Sequence, residues 1–206
     1  MSENVSAFAI TCSLRRSGEG KPGSTDRMVE DLFKELRDLG VSCDSAHAAD
    51  FNIMPGVSSD EGPDDDWPWL RDRLLSADIF VLGTPVWLGQ PSSIAKRVLE
   101  RMDAFLGEAD ELGRMPALGK VGLACVVGNE DGAHACHAAL FQALIDVGFT
   151  IPGNAGCYWV GEAMGSVDYA DHPAPPEKIA QSLKLAASNA QNLARYFRNS
   201  NFTGVA

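Results

Sequence analysis

Five short apolar runs, separated by segments of helical period, constrain this 206-residue chain more than any other feature. Residues 5–11 alternate loosely and end apolar. Residues 41–46, 79–83 and 119–127 follow, and a fifth run lies at 149–151 or 156–160. Between them the period changes from two to 3.6. Met28, Val29, Leu32, Phe33, Leu36 and Leu39 share one helix face, and Gly40 stops that helix. Residues 67–76, 92–106, 133–147 and 176–198 also read as helices. Strands that alternate with helices in this way form parallel βαβ units, with helices on both faces of one sheet. The expected architecture is three-layer α/β, with five parallel strands in the order 2-1-3-4-5. Residues 47–66 and 161–175 read as lids or subunit contacts. No linker divides the chain, so one domain spanning 1–206 is expected.

That strand order makes a demand on function. Ligands of such sheets sit beyond the carboxyl ends of the strands, at the switch point between strands 1 and 3. The loops after strands 1, 3 and 4 should therefore converge, and each is unusual. The first loop holds Ser13, Ser17, Ser24 and Thr25 with Arg15, Arg16 and Lys21, against Glu19 alone. It is locally basic in a chain whose formal net charge is −11. It also leads into a helix start, where free amides and the macrodipole favour an anion. A phosphomonoester cradle is one reading; a solvated turn with Ser24 as helix N-cap is the other. Asp26, in the first helical turn, competes for the same positive end. Gly18, Gly20 and Gly23 match a dinucleotide-type spacing by chance, since they sit mid-loop and not directly after the strand.

The loop after strand 3 contains Pro85, Val86, Trp87, Leu88 and Gly89 before a helix that begins near Ser92. Its amides can meet the polar edge of a flat aromatic ligand, and Trp87 can line the ring or fill a subunit contact. The loop after strand 4 is Gly128, Asn129, Glu130, Asp131 and Gly132. Its glycines permit close backbone approach, and Asn129 offers both donors and an acceptor. Beside it stands the alternative of a plain turn capped by Asp131. His134 is a candidate acid or base at the next helix start, although a lone histidine there is more often solvated. His134 and His137 share a helix face, but no third ligand makes a metal site.

The acidic balance argues against nucleic-acid and anionic-membrane partners. No signal-peptide pattern opens the chain, and no apolar run is long enough to span a bilayer. Five scattered cysteines without a Cys-x-x-Cys pair fit a reducing cytoplasm.

The three loops together resemble the NAD(P)H-dependent FMN reductases of the flavodoxin-like flavoproteins. The residues concerned are Ser13–Arg15 with Ser24 and Thr25, Gly83–Lys96, and Gly128–His134. The second stretch is similar to that family's T-P-x-Y/W-x-G-x-P-S-x-x-K pattern. The resemblance implies a flavodoxin-like fold, with Ser13, Arg15, Ser24 and Thr25 on the FMN phosphate. It places Pro85–Gly89 on the ribityl chain and ring, and Gly128–Gly132 on the far flavin edge. The implied activity is hydride transfer from NADH or NADPH to flavin N5, then to a quinone-like or other small acceptor. No side-chain nucleophile is needed, and the carboxylates of Glu130 and Asp131 are expected to point away from a reduced ring. A homodimer or homotetramer is expected, because a site at the rim of one small domain is shallow. The first loop is longer and more basic than that of electron-carrier flavodoxins, which remain the alternative beside a flavin-free binding protein. The acidic run Asp64–Asp66 is read as a solvated helix start.

Overall fold

The structure is a computed structural model and describes residues 4–200 and 202–205. Its strands are β1 (Ser6–Thr11), β2 (Ser42–His47), β3 (Ile79–Trp87), β4 (Gln90–Pro91), β5 (Val121–Val127) and β6 (Gly156–Trp159). The helices are α1 (Ser24–Asp38), α2 (Trp67–Ser76), α3 (Ser93–Met102), α4 (Ala133–Asp146) and α5 (Glu177–Asn199). The main sheet runs β2-β1-β3-β5-β6, with every neighbouring pair parallel. This is the expected order 2-1-3-4-5 under new labels.

One addition breaks the all-parallel rule. β3 does not stop at Gly83 but continues to Trp87, and β4 turns back to pair with it antiparallel, Trp87 opposite Gln90. The sheet therefore has six strands where five were expected. The fifth parallel strand is 156–159; residues 149–151 supply only an isolated bridge from Thr150 to Val121. The third helix is also shorter than expected, giving way at Asp103–Gly107 to a 3-10 turn.

Central strands are buried on both faces, so their sequences are apolar throughout instead of alternating. Val121 to Val127 are all buried. One core layer lies under α2, α3 and α4 and includes Phe80, Leu82, Trp67, Leu70, Met102 and Leu140. The other lies under α1 and α5 and includes Val81, Leu123, Leu32, Phe33 and Ala187. Burial of this kind is worth about 25 cal/mol per Å² of apolar surface.

Asp64 and Asp66 are exposed before α2, as expected of a solvated helix start, but Asp65 between them is not. Asp65 and Arg101 have fully buried side chains and form an ion pair at 2.7 Å. Asp65 also accepts the amides of Met54 (3.2 Å), Glu61 (3.0 Å) and Trp67 (3.1 Å). Arg101 donates to the carbonyls of Met54 and Ser58, each at 3.0 Å. An otherwise irregular connection, residues 51–66, is thus tied through one buried knot to α3. A hydropathy pattern cannot show this, because a paired buried carboxylate and a solvated one are the same letter.

Candidate functional site

The carboxyl ends of β1, β3 and β5 open into a cavity of about 800 Å³. One small hydroxyl ties two of its walls together. Ser92, the buried N-cap of α3, accepts from the Ala95 amide at 3.1 Å and donates to the Cys12 carbonyl at 2.6 Å. Its own amide donates to Thr84 Oγ1 at 3.0 Å. The first loop therefore starts from a point fixed by the second.

Nine of the residues expected to contact the flavin line this cavity: Ser13, Arg15, Ser24, Thr25, Pro85, Val86, Trp87, Gly128 and Asn129. Lys21, Arg27 and Gly23 join them from the first loop and α1. Arg27 is engaged by Asp31 at 3.1 Å, whereas Arg15 and Lys21 have no acidic partner among the described residues. Ser24 is the first residue of α1 and not its cap; Gly23 holds that position. Asp26 does take one donor from the anion end: its carboxylate accepts the amide of the N-cap Gly23 at 3.2 Å and also faces His47 Nδ1 at 3.5 Å. The outer end of the loop is held by Asp50, which accepts the Ser17 amide at 3.0 Å. The Ser17 side chain first, and its amide after it, hold the Asp50 carboxyl below its ordinary range.

Leu88, Gly89, Glu130, Asp131 and Gly132 do not line the cavity. They build the joint between its second and third walls. Leu88 and Gly89 take positive φ values of 53° and 72° at the β3–β4 turn. The Gly89 amide donates to Glu130 Oε1 at 3.1 Å. Asp131 does not cap α4; its carboxylate accepts the Gly132 amide at 2.7 Å, and Gly132 is the N-cap. Both carboxylates are thus spent on loop amides. A Cβ on Gly128 would stand 2.9 Å from that of Val86, so only glycine allows these two walls to meet as they do.

His134 is exposed and sets its ring against Tyr158, 5.0 Å between centroids. His137 is buried, and burial pushes its imidazole down to about 4 despite a bond to the Cys157 backbone. Neither lines the cavity. Trp87 does, while remaining 55% exposed, so it stands at the mouth and not in the core.

Residues 164–171 form a wall with no sequence signal of its own. Asp168, Ala170 and Asp171 line the cavity beside Ser24 and Asn129. This part of the expected lid at 161–175 is folded back onto its own chain, held by Tyr169, whose hydroxyl donates to Asp31 at 2.8 Å.

An anion-ready loop, a flat-ligand turn and a close-approach glycine loop share this cavity, and residues 5–164 match the model of the NADPH-dependent FMN reductases. The chain belongs to that family. The family is described by its reduction of FMN with NADPH. A Mycobacterium bovis protein named divalent metal cation transporter MntH is 36% identical over 173 residues, covering 82% of this chain and 25% of that protein. The Streptomyces davaonensis 8-demethyl-8-aminoriboflavin-5'-phosphate synthase is 30% identical over 141 residues, covering 68% of this chain and 55% of the enzyme. The chain thus spans about a quarter and about half the length of these relatives. No helix among the described residues is long and apolar enough to cross a membrane.

Two solved structures share the fold. RosB, with bound 8-demethyl-8-formylriboflavin-5'-phosphate, superposes with a TM-score of 0.85 at 24% identity, over 97% of this chain and 82% of RosB. The apo NADH:FMN oxidoreductase EmoB gives 0.63 at 17% identity, over 97% and 91%.

The cavity of this FMN reductase family member fits its cofactor on chemical grounds. Its volume lies in the usual range for small-molecule sites. One end joins two unpaired cations, Arg15 and Lys21, to three hydroxyls and the first turn of a helix, the donor set a phosphate dianion requires.

Proposed function

We propose that the chain transfers hydride from NADPH or NADH, through FMN bound in this cavity, to a quinone-like or other small acceptor. The observation that supports it best is the position of the anion-ready end relative to Trp87. The phosphate would sit on Ser13, Arg15, Ser24 and Thr25, and the ring would lie toward the mouth at Trp87, where nicotinamide and acceptor can take turns. Bound FMN supplies the hydride and electron chemistry; the protein's share is orientation and charge. Pro85 to Trp87 would form one wall of the ring site, with Gly128 and Asn129 at its edge. The joint from Gly89 to Glu130 keeps those walls in register.

Purified protein loaded with FMN is expected to oxidise NADPH or NADH continuously when a quinone is supplied. Steady-state absorbance at the nicotinamide band checks this. Stoichiometric reduction without turnover on any quinone, dye or free flavin would favour an electron carrier and sink the oxidoreductase reading.

Replacing Arg15 and Lys21 together by alanine is expected to weaken FMN binding at least tenfold, since each charge-assisted hydrogen bond contributes about 1.5–3 kcal/mol. Riboflavin, which lacks the phosphate, should bind the wild type and the variant alike. Fluorescence titration reads both, and an unchanged FMN affinity would remove these residues from the phosphate site.

A second reading comes from the synthase relative, whose name makes a modified flavin phosphate its product. In that reading FMN is the molecule acted upon. A flavin recovered from the protein with an altered absorption spectrum and mass would favour it.

A further inference from the structure

The wall at 164–171 lies almost wholly beyond the family match at 5–164, and it grips the cavity at two residues. At one end Asn129 is held through both main chain and side chain. The Met164 amide donates to its carbonyl at 2.6 Å. Its Nδ2 donates to Asp168 Oδ1 at 2.8 Å and to the Gly165 carbonyl at 3.3 Å. At the other end the Ala170 amide donates to Ser24 Oγ at 3.1 Å. Tyr169, 1% exposed and bonded to Asp31, anchors the stretch between them.

The partners settle which half of each group is left over. An ionised carboxylate and a peptide carbonyl only accept. The side of the Asn129 amide that faces them is therefore its NH2, and both hydrogens are used. What remains for the cavity is the amide oxygen, a pure acceptor. Ser24 is the converse: its oxygen takes the Ala170 N–H, so its own proton is left to donate. Ser13 repeats that pattern, accepting the Arg15 amide at 3.1 Å.

We infer that Asp168 is a positioning residue, which fixes Asn129 as an acceptor toward a hydrogen-bond donor of the bound flavin. The same wall leaves Ser24 as a donor to the phosphate. This rests on FMN occupying the cavity. FMN has donors in two places, the imide N–H of the ring and the hydroxyls of the ribityl chain, and the phosphate dianion has none. Without Asp168 only the Gly165 carbonyl, at 3.3 Å, still favours this orientation of the Asn129 amide, and its preference for a donor shrinks.

The test is a fluorescence titration of the wild type, Asp168→Ala and Asp168→Asn with three flavins. These are FMN, 3-methyl-FMN, which lacks the imide N–H, and an analogue whose phosphopentyl chain lacks the ribityl hydroxyls. The wild type is expected to prefer FMN over one analogue by about tenfold, the size of one hydrogen bond to a polar group otherwise stranded. The disfavoured analogue identifies the donor. Asp168→Ala should shrink that preference below about threefold, a small fraction of one such hydrogen bond. Asp168→Asn, whose side-chain oxygen still accepts from Asn129, should keep it. A wall with only a structural role would weaken all three flavins alike and leave the ratio unmoved. Equal affinities in the wild type, a preference that survives in Asp168→Ala, or its loss in Asp168→Asn would overturn the role of Asp168 while leaving FMN in the cavity. Failure of the wild type to bind FMN would overturn the reading of the cavity itself.

Discussion

Replacing Arg101 with methionine is expected to destabilise the fold by about 3–5 kcal/mol, the usual cost of stranding one partner of a buried ion pair. Methionine fills much of the same space beside Trp67, so lost volume is a minor part of the effect. What is lost is the guanidinium. Its removal leaves Asp65 charged with no exposure to water, and leaves the Met54 and Ser58 carbonyls without their donors. Pairing the change with Asp65→Leu should recover only part of the loss. In many buried pairs an apolar swap is neutral. Here Asp65 also accepts three backbone amides, and leucine would orphan all of them. Urea unfolding of the two variants and the wild type measures both effects. A midpoint for Arg101→Met within error of the wild type would show that the knot does not hold the fold.

The same knot sets an acid limit. Burial alone would raise the Asp65 carboxyl, but Arg101 and the three amides outweigh it and hold it at about 2, against an ordinary 3.8. A carboxyl depressed on folding contributes stability above its unfolded value, and that contribution is lost as pH falls toward the folded one. The window is therefore from about pH 4 down to about pH 2, and the contribution at neutral pH is about 2 kcal/mol. Without the guanidinium the carboxyl moves up, so Arg101→Met should begin acid unfolding at a higher pH than the wild type.

The fold was legible because parallel strands buried on both faces must be continuous apolar runs, and residues 79–83 and 119–127 are such runs. The site was legible where topology brings loop to loop: the strand order alone predicts that Ser24, Val86 and Gly128 meet. Less legible were contacts between residues remote in sequence. Pro85 read as part of the loop after strand 3, yet it lies in β3, paired with Val127 on β5. Glu130 was expected to turn its carboxylate away from the ring, but the sequence does not show that the Gly89 amide, 41 positions away, is what it turns to. Asp168 gave no signal, because its meaning depends on an Asn129 amide 39 positions distant. Polar residues reveal themselves by partners, and partners are a property of the folded chain.

Gly132→Ala tests the joint between the second and third walls. Gly132 has a φ of 132°, where an L side chain is strained, and its Cβ would stand 2.6 Å from the Gly89 Cα and 3.0 Å from the Gly89 carbonyl carbon. These are backbone atoms, so no rotamer change relieves the contact. Gly89 must retreat, which breaks its amide bond to Glu130 and its contact with Cys136 Sγ. It would draw with it the turn that presents Trp87 at the mouth. The backbone strain alone costs about 1–3 kcal/mol, and displacement of the turn should weaken FMN binding about tenfold, the equivalent of one lost hydrogen bond to the ring. Gly18→Ala is the control. It shares a positive φ, 76°, but a Cβ there meets nothing within 4 Å. It should cost some stability and leave FMN affinity unchanged, so the difference between the variants isolates the collision from the strain. Thermal unfolding and FMN titration of both settle the matter: if Gly132→Ala binds FMN as tightly as Gly18→Ala does, the contact between these two loops is not what shapes the ring site.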